Sequence, residues 1–168
     1  GEEKTGNMPN NEWYRTRFGH SIGKGDLANI VIGQGTVLAT PLQVARAMGA
    51  IGNRKALMES RLVLQIQDYA NNIITAQEVS PQPLNISQHY LAIVRQGMYD
   101  VVHHGSGTGK NAGHPKVAVS GKTGTGQWIP AKNQNIAWFA GYVPSKFPVL
   151  SFAVVYEGNP GEKVGGGS

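Results

Sequence analysis

The sequence predicts an α+β domain in which helices cover an antiparallel sheet. Two helical patterns occupy the middle of the chain, and three apolar strand patterns follow one another in its last third. Short links join these strands, whereas parallel neighbours would need crossover connections of a dozen residues or more. The 168 residues are enough for one domain with a hydrophobic core, in which the helices lie against the sheet.

Composition excludes several classes of protein. The chain has no cysteine, which rules out disulfide scaffolds and thiol nucleophiles, and its five histidines show no metal-ligand spacing. The formal charge of +5 invites a nucleic-acid interpretation, but the 15 Lys and Arg are scattered and no aromatic ladder alternates with them. The longest apolar run, residues 149–156, is too short to cross a bilayer. We therefore expect no metal, no nucleic-acid partner and no membrane span in these residues.

Residues 1–39 show no hydrophobic periodicity and are polar and rich in glycine. Trp13, Tyr14 and Phe18 are the large apolar residues that could anchor the first 29 positions. The pattern predicts an irregular segment that packs against the rest of the chain.

Residues 40–113 are predicted to be helical with a small strand pair. Thr40 is a good N-cap, Pro41 suits the first helical turn, and Gly52 with Asn53 supplies a stop. The apolar positions between them recur at helical spacing. We predict a helix from about residue 41 to residue 51.

The strand pair and a second helix follow. Residues 61–67 alternate apolar and polar positions, which predicts a half-buried strand, paired with residues 72–75 across a turn. Ser87 then caps a longer helix with one apolar side, and Gly105 ends it.

Residues 114–158 carry the strands of the main sheet. Alternation from Val117 leads into a glycine-rich motif, and apolar runs follow at residues 136–143 and 148–156. Residues 159–168 stop without a cap or a final element, so we expect them to be a truncated tail or a linker.

The sequence Lys122-Thr123-Gly124-Thr125 is the strongest candidate site. It ends like a P-loop, but Lys116 stands where that loop requires an earlier glycine. On a strand the two threonines would share a face and could hold one carboxylate together. Gly124 would let a ligand lie along the strand edge and take backbone hydrogen bonds, and Lys122 would supply positive charge. This pattern suits an enzyme that grips a peptide C-terminus.

Several segments together resemble one family. Residues 120–125 resemble the third active-site motif, K-T-G, of the penicillin-binding transpeptidases and serine β-lactamases. Residues 32–35, followed by 39–43, resemble the stretch between the second and third motifs of class B penicillin-binding proteins. Residues 6–9 with 12–13 resemble the penicillin-binding protein 2 branch, which serves cell elongation. The order and spacing match, so the chain resembles the C-terminal portion of one transpeptidase domain over residues 1–168.

The resemblance implies roles within the third motif only. Lys122 would support the electrostatics of the serine–lysine network, and the Thr123 and Thr125 hydroxyls would hold the carboxylate of a D-alanyl-D-alanine stem or a β-lactam. The backbone N–H of Thr125 would supply half of the oxyanion hole. Lys122 and Thr125 are thus the expected catalytic residues, with Lys122, Thr123, Gly124 and Thr125 binding substrate. No cofactor is implied.

Two further motifs of the family are not found in this sequence. No S-x-N or S-x-D occurs in the sequence. The single S-x-x-K, Ser21 to Lys24, lies later in the chain than the family's order of motifs requires, and the glycines around it disfavour a helix. We interpret it as a coincidence. The resemblance therefore implies a chain that is inactive alone, from a parent that cross-links peptidoglycan by serine acyl transfer.

The resemblance also implies a setting. The parent would lie in the periplasm on an inner-membrane anchor outside this chain, beside a glycosyltransferase of the elongation complex. Two alternatives stay open: a β-lactam sensor or β-lactamase of the same fold, and a non-catalytic binding fragment.

Overall fold

The computed structural model describes residues 3–76 and 78–167. Its centre is a three-stranded antiparallel sheet in the order β5-β6-β7, formed by Ser120–Ile129, Gln134–Val143 and Leu150–Glu157. Two helices pack on this sheet: α3, Pro41–Asn53, lies against β6 and β7, and α4, Gln88–His103, lies against β5. The α+β prediction is therefore confirmed.

The prediction of an irregular segment over residues 1–39 is wrong in part, because two short helices lie within it. Helix α1 spans Asn11–Phe18 and helix α2 spans Lys24–Val31. Asn10 caps α1 by accepting a hydrogen bond from the backbone of Trp13 at 2.8 Å. Neither helix has a long apolar stripe, so side-chain periodicity could not reveal them.

Helices α3 and α4 form where their caps predict. Helix α3 spans Pro41–Asn53, and Thr40 and Gln43 form a reciprocal capping box at its start. It ends at Asn53, so the stop predicted at Gly52 and Asn53 is wrong by about two residues, and the C-cap is Arg54, whose φ of 61° is left-handed. Helix α4 spans Gln88–His103 with Ser87 as its N-cap.

The core lies between α3, α4 and the sheet. Tyr142 on β6 is 1% exposed and packs beneath Gly52 of α3, where a Cβ would lie 3.1 Å from the tyrosine ring. Arg95 on α4 is 7% exposed and stacks over the same ring at 5.0 Å. Its guanidinium donates hydrogen bonds to backbone carbonyls of Ile51, Gly52 and Ser145. A buried cation therefore ties both helices to the loop after β6.

Two small strand pairs lie outside the main sheet. Strand β1, Ala56–Leu57, pairs with β4, Gln82–Pro83, and β2, Gln65–Gln67, pairs with β3, Ile73–Ala76. The β2–β3 pairing confirms the predicted strand pair, but the prediction of a half-buried strand is wrong. Every residue of β3 is exposed, and so are two of the three residues of β2. Alternation alone does not guarantee a covering layer.

Within the described residues, no helix is both long and apolar enough to cross a bilayer. Short 3-10 turns at Lys110–Ala112 and Pro130–Lys132 complete the described elements.

Candidate functional site

The four candidate site residues lie together on β5, opposite β6. Lys122, Thr123, Gly124 and Thr125 pair in register with Ala140, Phe139, Trp138 and Ala137. Strand alternation puts the two threonines on one face of the sheet and Lys122 on the other. Lys122 and Thr125 are exposed, whereas Thr123 and Gly124 are half-buried.

Strand β5 lies at an edge of the sheet, because β6 is its strand neighbour in the described part of the chain. Two side chains donate hydrogen bonds to its carbonyls from outside the ladder. Lys122 Nζ donates to the carbonyl of Thr123, and Gln34 Nε2 donates to that of Thr125 at 2.7 Å. In an antiparallel pair the N–H and C=O of one residue point to the same side. The backbone groups of Thr123 and Thr125 therefore face the open edge.

The hydroxyl of Thr123 is held in place by a residue that the sequence did not single out. Thr108 Oγ1 and Thr123 Oγ1 lie 2.8 Å apart. The loop that carries Thr108 packs closely on the sheet, since a Cβ at Gly109 would lie 3.1 Å from Phe139 Cε2. The run Gly105 to Gly109 was visible in the sequence, but its contact with β5 depends on the tertiary fold.

Gln34 was visible only as part of the Ile32–Gly35 motif. The structure shows that this motif reaches the candidate site across 91 residues of sequence. Gln34 also lines a cleft of about 250 Å³ beside helices α1 and α2. Two motifs noted separately in the sequence, residues 32–35 and residues 120–125, are thus in contact.

The first motif joins the same network. Asn7 Nδ2 donates to the Thr36 carbonyl at 2.7 Å, and the Tyr14 hydroxyl lies 3.2 Å from Thr36 Oγ1. Asn7 and Leu38 exchange two backbone hydrogen bonds. Residues 6–14 therefore support the turn that presents Gln34.

The last residues of the chain also lie against β5, which the prediction of a tail or linker did not anticipate. Asn111 Nδ2 donates to the Gly167 carbonyl at 3.1 Å. A Cβ added at Gly166 would lie 2.7 Å from both the backbone nitrogen and the carbonyl oxygen of Gly124. Only glycine fits this close approach of two backbones.

Ser21, the serine of the single S-x-x-K, is not placed at a helix start. Its hydroxyl accepts a hydrogen bond from Arg15 Nε at 3.0 Å, and α2 begins three residues later at Lys24. The glycines did not prevent this helix, contrary to the sequence argument, but they leave Ser21 outside it. Among the described residues, no three acidic or histidine side chains cluster as metal ligands would.

Comparisons with known proteins agree on one family. The family model described as the penicillin-binding protein transpeptidase domain matches residues 1–168. The chain is 30% identical over 181 residues to the peptidoglycan D,D-transpeptidase MrdA of Haemophilus influenzae, covering 99% of this chain and 27% of that protein. The chain thus spans about a quarter of that relative's length.

Solved structures give the same picture. The penicillin-binding protein PBP2 of Helicobacter pylori, in complex with MreC, superposes with a TM-score of 0.72 at 29% identity, over 92% of this chain and 28% of that one. PBP2 of Pseudomonas aeruginosa in complex with WCK 5153 gives a TM-score of 0.70 at 27% identity, over 93% of this chain and 33% of that one.

Proposed function

Because the chain belongs to the penicillin-binding protein transpeptidase domain family, we propose that it is the C-terminal portion of a peptidoglycan D,D-transpeptidase. In this portion the β5 edge grips the terminal carboxylate of a D-Ala-D-Ala stem peptide or of a β-lactam. The observation that carries the proposal is the arrangement of β5, whose outward N–H groups and two same-face hydroxyls line an open edge.

The grip follows from the groups on that edge. The Thr123 and Thr125 hydroxyls donate to the carboxylate, and Lys122 adds a positive charge on the neighbouring strand position. Charge-assisted hydrogen bonds of this kind are roughly twice as strong as neutral ones. The chain's formal charge of +5 also favours an anionic ligand.

The reaction is acyl transfer. A serine hydroxyl attacks the carbonyl carbon of the D-Ala-D-Ala amide, and the tetrahedral intermediate carries its negative charge on the former carbonyl oxygen. The backbone N–H of Thr125 donates to that oxygen, and one such donor contributes about 3 kcal/mol in comparable sites. The amide bond breaks, D-Ala leaves with a proton, and an amine of a second stem peptide takes the acyl group. The serine and its lysine lie in another part of the parent protein.

Intact-mass analysis after incubation with benzylpenicillin tests this proposal. We expect no adduct on this chain and one penicilloyl group on the parent protein. In the parent, Lys122→Ala should abolish formation of this adduct or slow it at least tenfold. A stoichiometric adduct on the chain would place the nucleophile within its 168 residues, with Ser21 the first to examine. Rapid turnover of the β-lactam by the parent would instead identify a β-lactamase.

The cellular setting is proposed from the family. The parent would act in the periplasm from an inner-membrane anchor, next to a glycosyltransferase of the elongation complex. The Helicobacter pylori relative was solved in complex with MreC, which supports a protein partner for the parent. The location of a fluorescent fusion of the parent tests this setting. We expect fluorescence at the cell envelope, and fluorescence in the cytoplasm would contradict the proposal.

A further inference from the structure

A cleft of about 250 Å³ lies beside helices α1 and α2 and the turn that carries Gln34, and we call it the α1–α2 cleft. Gln34 connects it to the candidate site, because Gln34 Nε2 donates to the Thr125 carbonyl at 2.7 Å. The cleft and the backbone of Thr125 therefore both border on Gln34. Clefts that hold whole drug-sized ligands are usually larger, so this volume suits a single side chain.

The charge of the cleft differs from that of the chain as a whole. The chain has 15 Lys and Arg against 10 Asp and Glu, yet the described residues that line the cleft include one carboxylate, Asp26, and no lysine or arginine. Oδ2 of this half-buried side chain accepts a hydrogen bond from the Gly23 N–H at 2.9 Å. Among the described residues no group donates to its Oδ1. A carboxylate oxygen without a donor favours a cation in the cleft.

Two more side chains of the lining offer hydrogen-bond acceptors. His20 Nδ1 lies 2.9 Å from the Ser21 carbonyl oxygen, which can only accept, so Nδ1 carries the proton and Nε2 has a lone pair in the neutral ring. Gln34 uses its Nε2 on Thr125, and no group in the described part of the chain donates to its Oε1. Together with Asp26, these residues give the cleft three acceptors for a ligand that donates.

Three rings form the aromatic wall of the cleft. The ring centroids of Tyr14, Phe18 and His20 lie between 5.3 and 6.1 Å apart. The buried Tyr14 is fixed, since its hydroxyl lies 3.2 Å from Thr36 Oγ1, whereas Phe18 is about half exposed. Aromatic faces attract ammonium groups, and they also pack against the methylene chains that carry them. Aromatic rings beside a carboxylate therefore favour an alkylammonium ligand.

We propose that the α1–α2 cleft binds the primary ammonium group of a peptidoglycan stem peptide, with the Asp26 carboxylate as its charge partner. An ammonium has three donors and no acceptor, so it matches the acceptors of Asp26, His20 and Gln34. The cleft holds the charged, resting form of the amine, and the attacking form is neutral and has first lost a proton to water.

This inference rests on the proposed function, in which an amine of a second stem peptide takes the acyl group. Two sources share the same chemistry. One is the amine of that second peptide, and the other is an amine on the peptide whose carboxylate lies at β5.

NMR titration of this chain with Nα-acetyl-L-lysine amide tests the site. This probe carries the ammonium but no carboxylate, so it does not depend on β5. We expect its binding to change the chemical shifts of the backbone amides of Gln34 and Thr36, and its Nε-acetylated form to bind at least fivefold more weakly. Asp26→Asn removes the charge and keeps an oxygen that can accept from Gly23, and we expect it to weaken binding of the probe at least fivefold.

Asp68→Asn is the matched control. Asp68 Oδ1 also accepts a hydrogen bond from a backbone N–H, that of Ala70, at 2.8 Å, and its substitution changes the net charge by the same amount. It lies between β2 and β3 and does not line the cleft, so we expect unchanged binding of the probe. Should Asp26→Asn fail to fold, the comparison of the probe with its acetylated form needs no variant.

Two tripeptides identify the source of the ammonium. The free-acid peptide Nα,Nε-diacetyl-L-Lys-D-Ala-D-Ala has no amine, and its Nα-acetyl form keeps the Nε ammonium. If the amine belongs to the peptide held at β5, the ammonium form binds at least fivefold more tightly. If it belongs to the second peptide, the two tripeptides bind equally, and the lysine amide binds together with either of them.

The outcomes separate the inference from the proposed function. If the free-acid peptide binds at β5 while the lysine amide does not bind the cleft, the inference is overturned and the proposed function stands. The inference is also overturned if the lysine amide binds equally well after Nε-acetylation, or binds Asp26→Asn as tightly as the unmodified chain. Binding of neither tripeptide would overturn the proposed function, and the inference that depends on it.

Discussion

The hydroxyls of Thr108 and Thr123 lie 2.8 Å apart, although 15 residues separate them in the sequence. Thr123 is one of the two threonines that would hold the ligand carboxylate, and Thr108 sits on the glycine-rich loop after α4. The loop therefore orients a side chain of the proposed binding site.

Thr108→Val is expected to weaken binding of the free-acid peptide about threefold, because the Thr123 hydroxyl loses the partner that fixes its direction. The isosteric change should leave the free energy of unfolding within about 1 kcal/mol. NMR titration and urea unfolding measure the two effects. Thr16→Val, which removes a hydroxyl bonded to the Glu12 carbonyl, is the control, and equal affinities in both variants would contradict the assignment.

Arg95→Met is expected to lower the free energy of unfolding by about 2–4 kcal/mol. The change removes hydrogen bonds to the carbonyls of Ile51, Gly52 and Ser145 and leaves buried acceptors unpaired. Burial lowers the pKa of the Arg95 guanidinium, yet arginine stays charged throughout the ordinary pH range.

Urea unfolding of Arg46→Met supplies the comparison for Arg95. Arg46 Nε makes one exposed hydrogen bond to the Met58 carbonyl at 3.0 Å, so its loss should cost less than about 1 kcal/mol. Similar values for the two arginines would show that the Arg95 contacts do not stabilise the fold.

Two glycine substitutions should have opposite effects. A Cβ at Gly141 would lie 2.7 Å from Gly121 Cα and collide with the Ser120 carbonyl, so Gly141→Ala must shift the β5–β6 pair. We expect a loss of about 3 kcal/mol or more. Gly97 lies within α4 with nothing within 4 Å of an added Cβ, so Gly97→Ala should stabilise by about 0.5–1 kcal/mol. Thermal unfolding of both variants checks the contrast.

The segment after β7 should respond to acid through Glu162. A hydrogen bond from the Asn159 backbone N–H, followed by bonds from the Tyr156 hydroxyl and the Asn159 side chain, holds the pKa of Glu162 below its ordinary value of 4.5. Because the pKa of the Glu162 carboxyl is lower in the folded than in the unfolded protein, the ionised carboxylate stabilises the fold above pH 4.5. This stabilisation is lost as the pH falls through the pKa of the folded protein.

The NMR chemical shift of the Asn159 backbone amide, measured between pH 6 and pH 2, reports the protonation of Glu162. In Glu162→Gln the acid transition of this amide should vanish, since no carboxylate remains to be protonated. A transition at the same pH in both proteins would assign it to another group.

Sequence patterns sufficed where one local rule controlled the structure. The N-caps at Thr40 and Ser87 located the starts of α3 and α4 correctly. Sequence patterns were insufficient where contacts between distant parts of the chain determined the structure. Arg95 occupies a buried position on α4, and no rule of periodicity assigns a charge there, because its partners are carbonyls of distant loops.

Part of the geometry of the candidate site could also be predicted from the sequence. The alternation of Thr123 and Thr125 on one face follows from strand geometry and is confirmed by the register with Phe139 and Ala137. The contacts of Thr108 and Gln34 could not be predicted, since each joins segments whose distance in space depends on the whole fold.

The bond between Gln34 and Thr125 also bears on the order of folding. Strands β5, β6 and β7 are consecutive in the chain, so their hairpins close short loops and can form early. The Gln34 contact closes a loop of 91 residues, which carries a larger entropy cost and must await the docking of α1 and α2. The sheet can therefore form before Gln34 reaches its edge, and a refolding chain would acquire the β5–β7 strands before this contact.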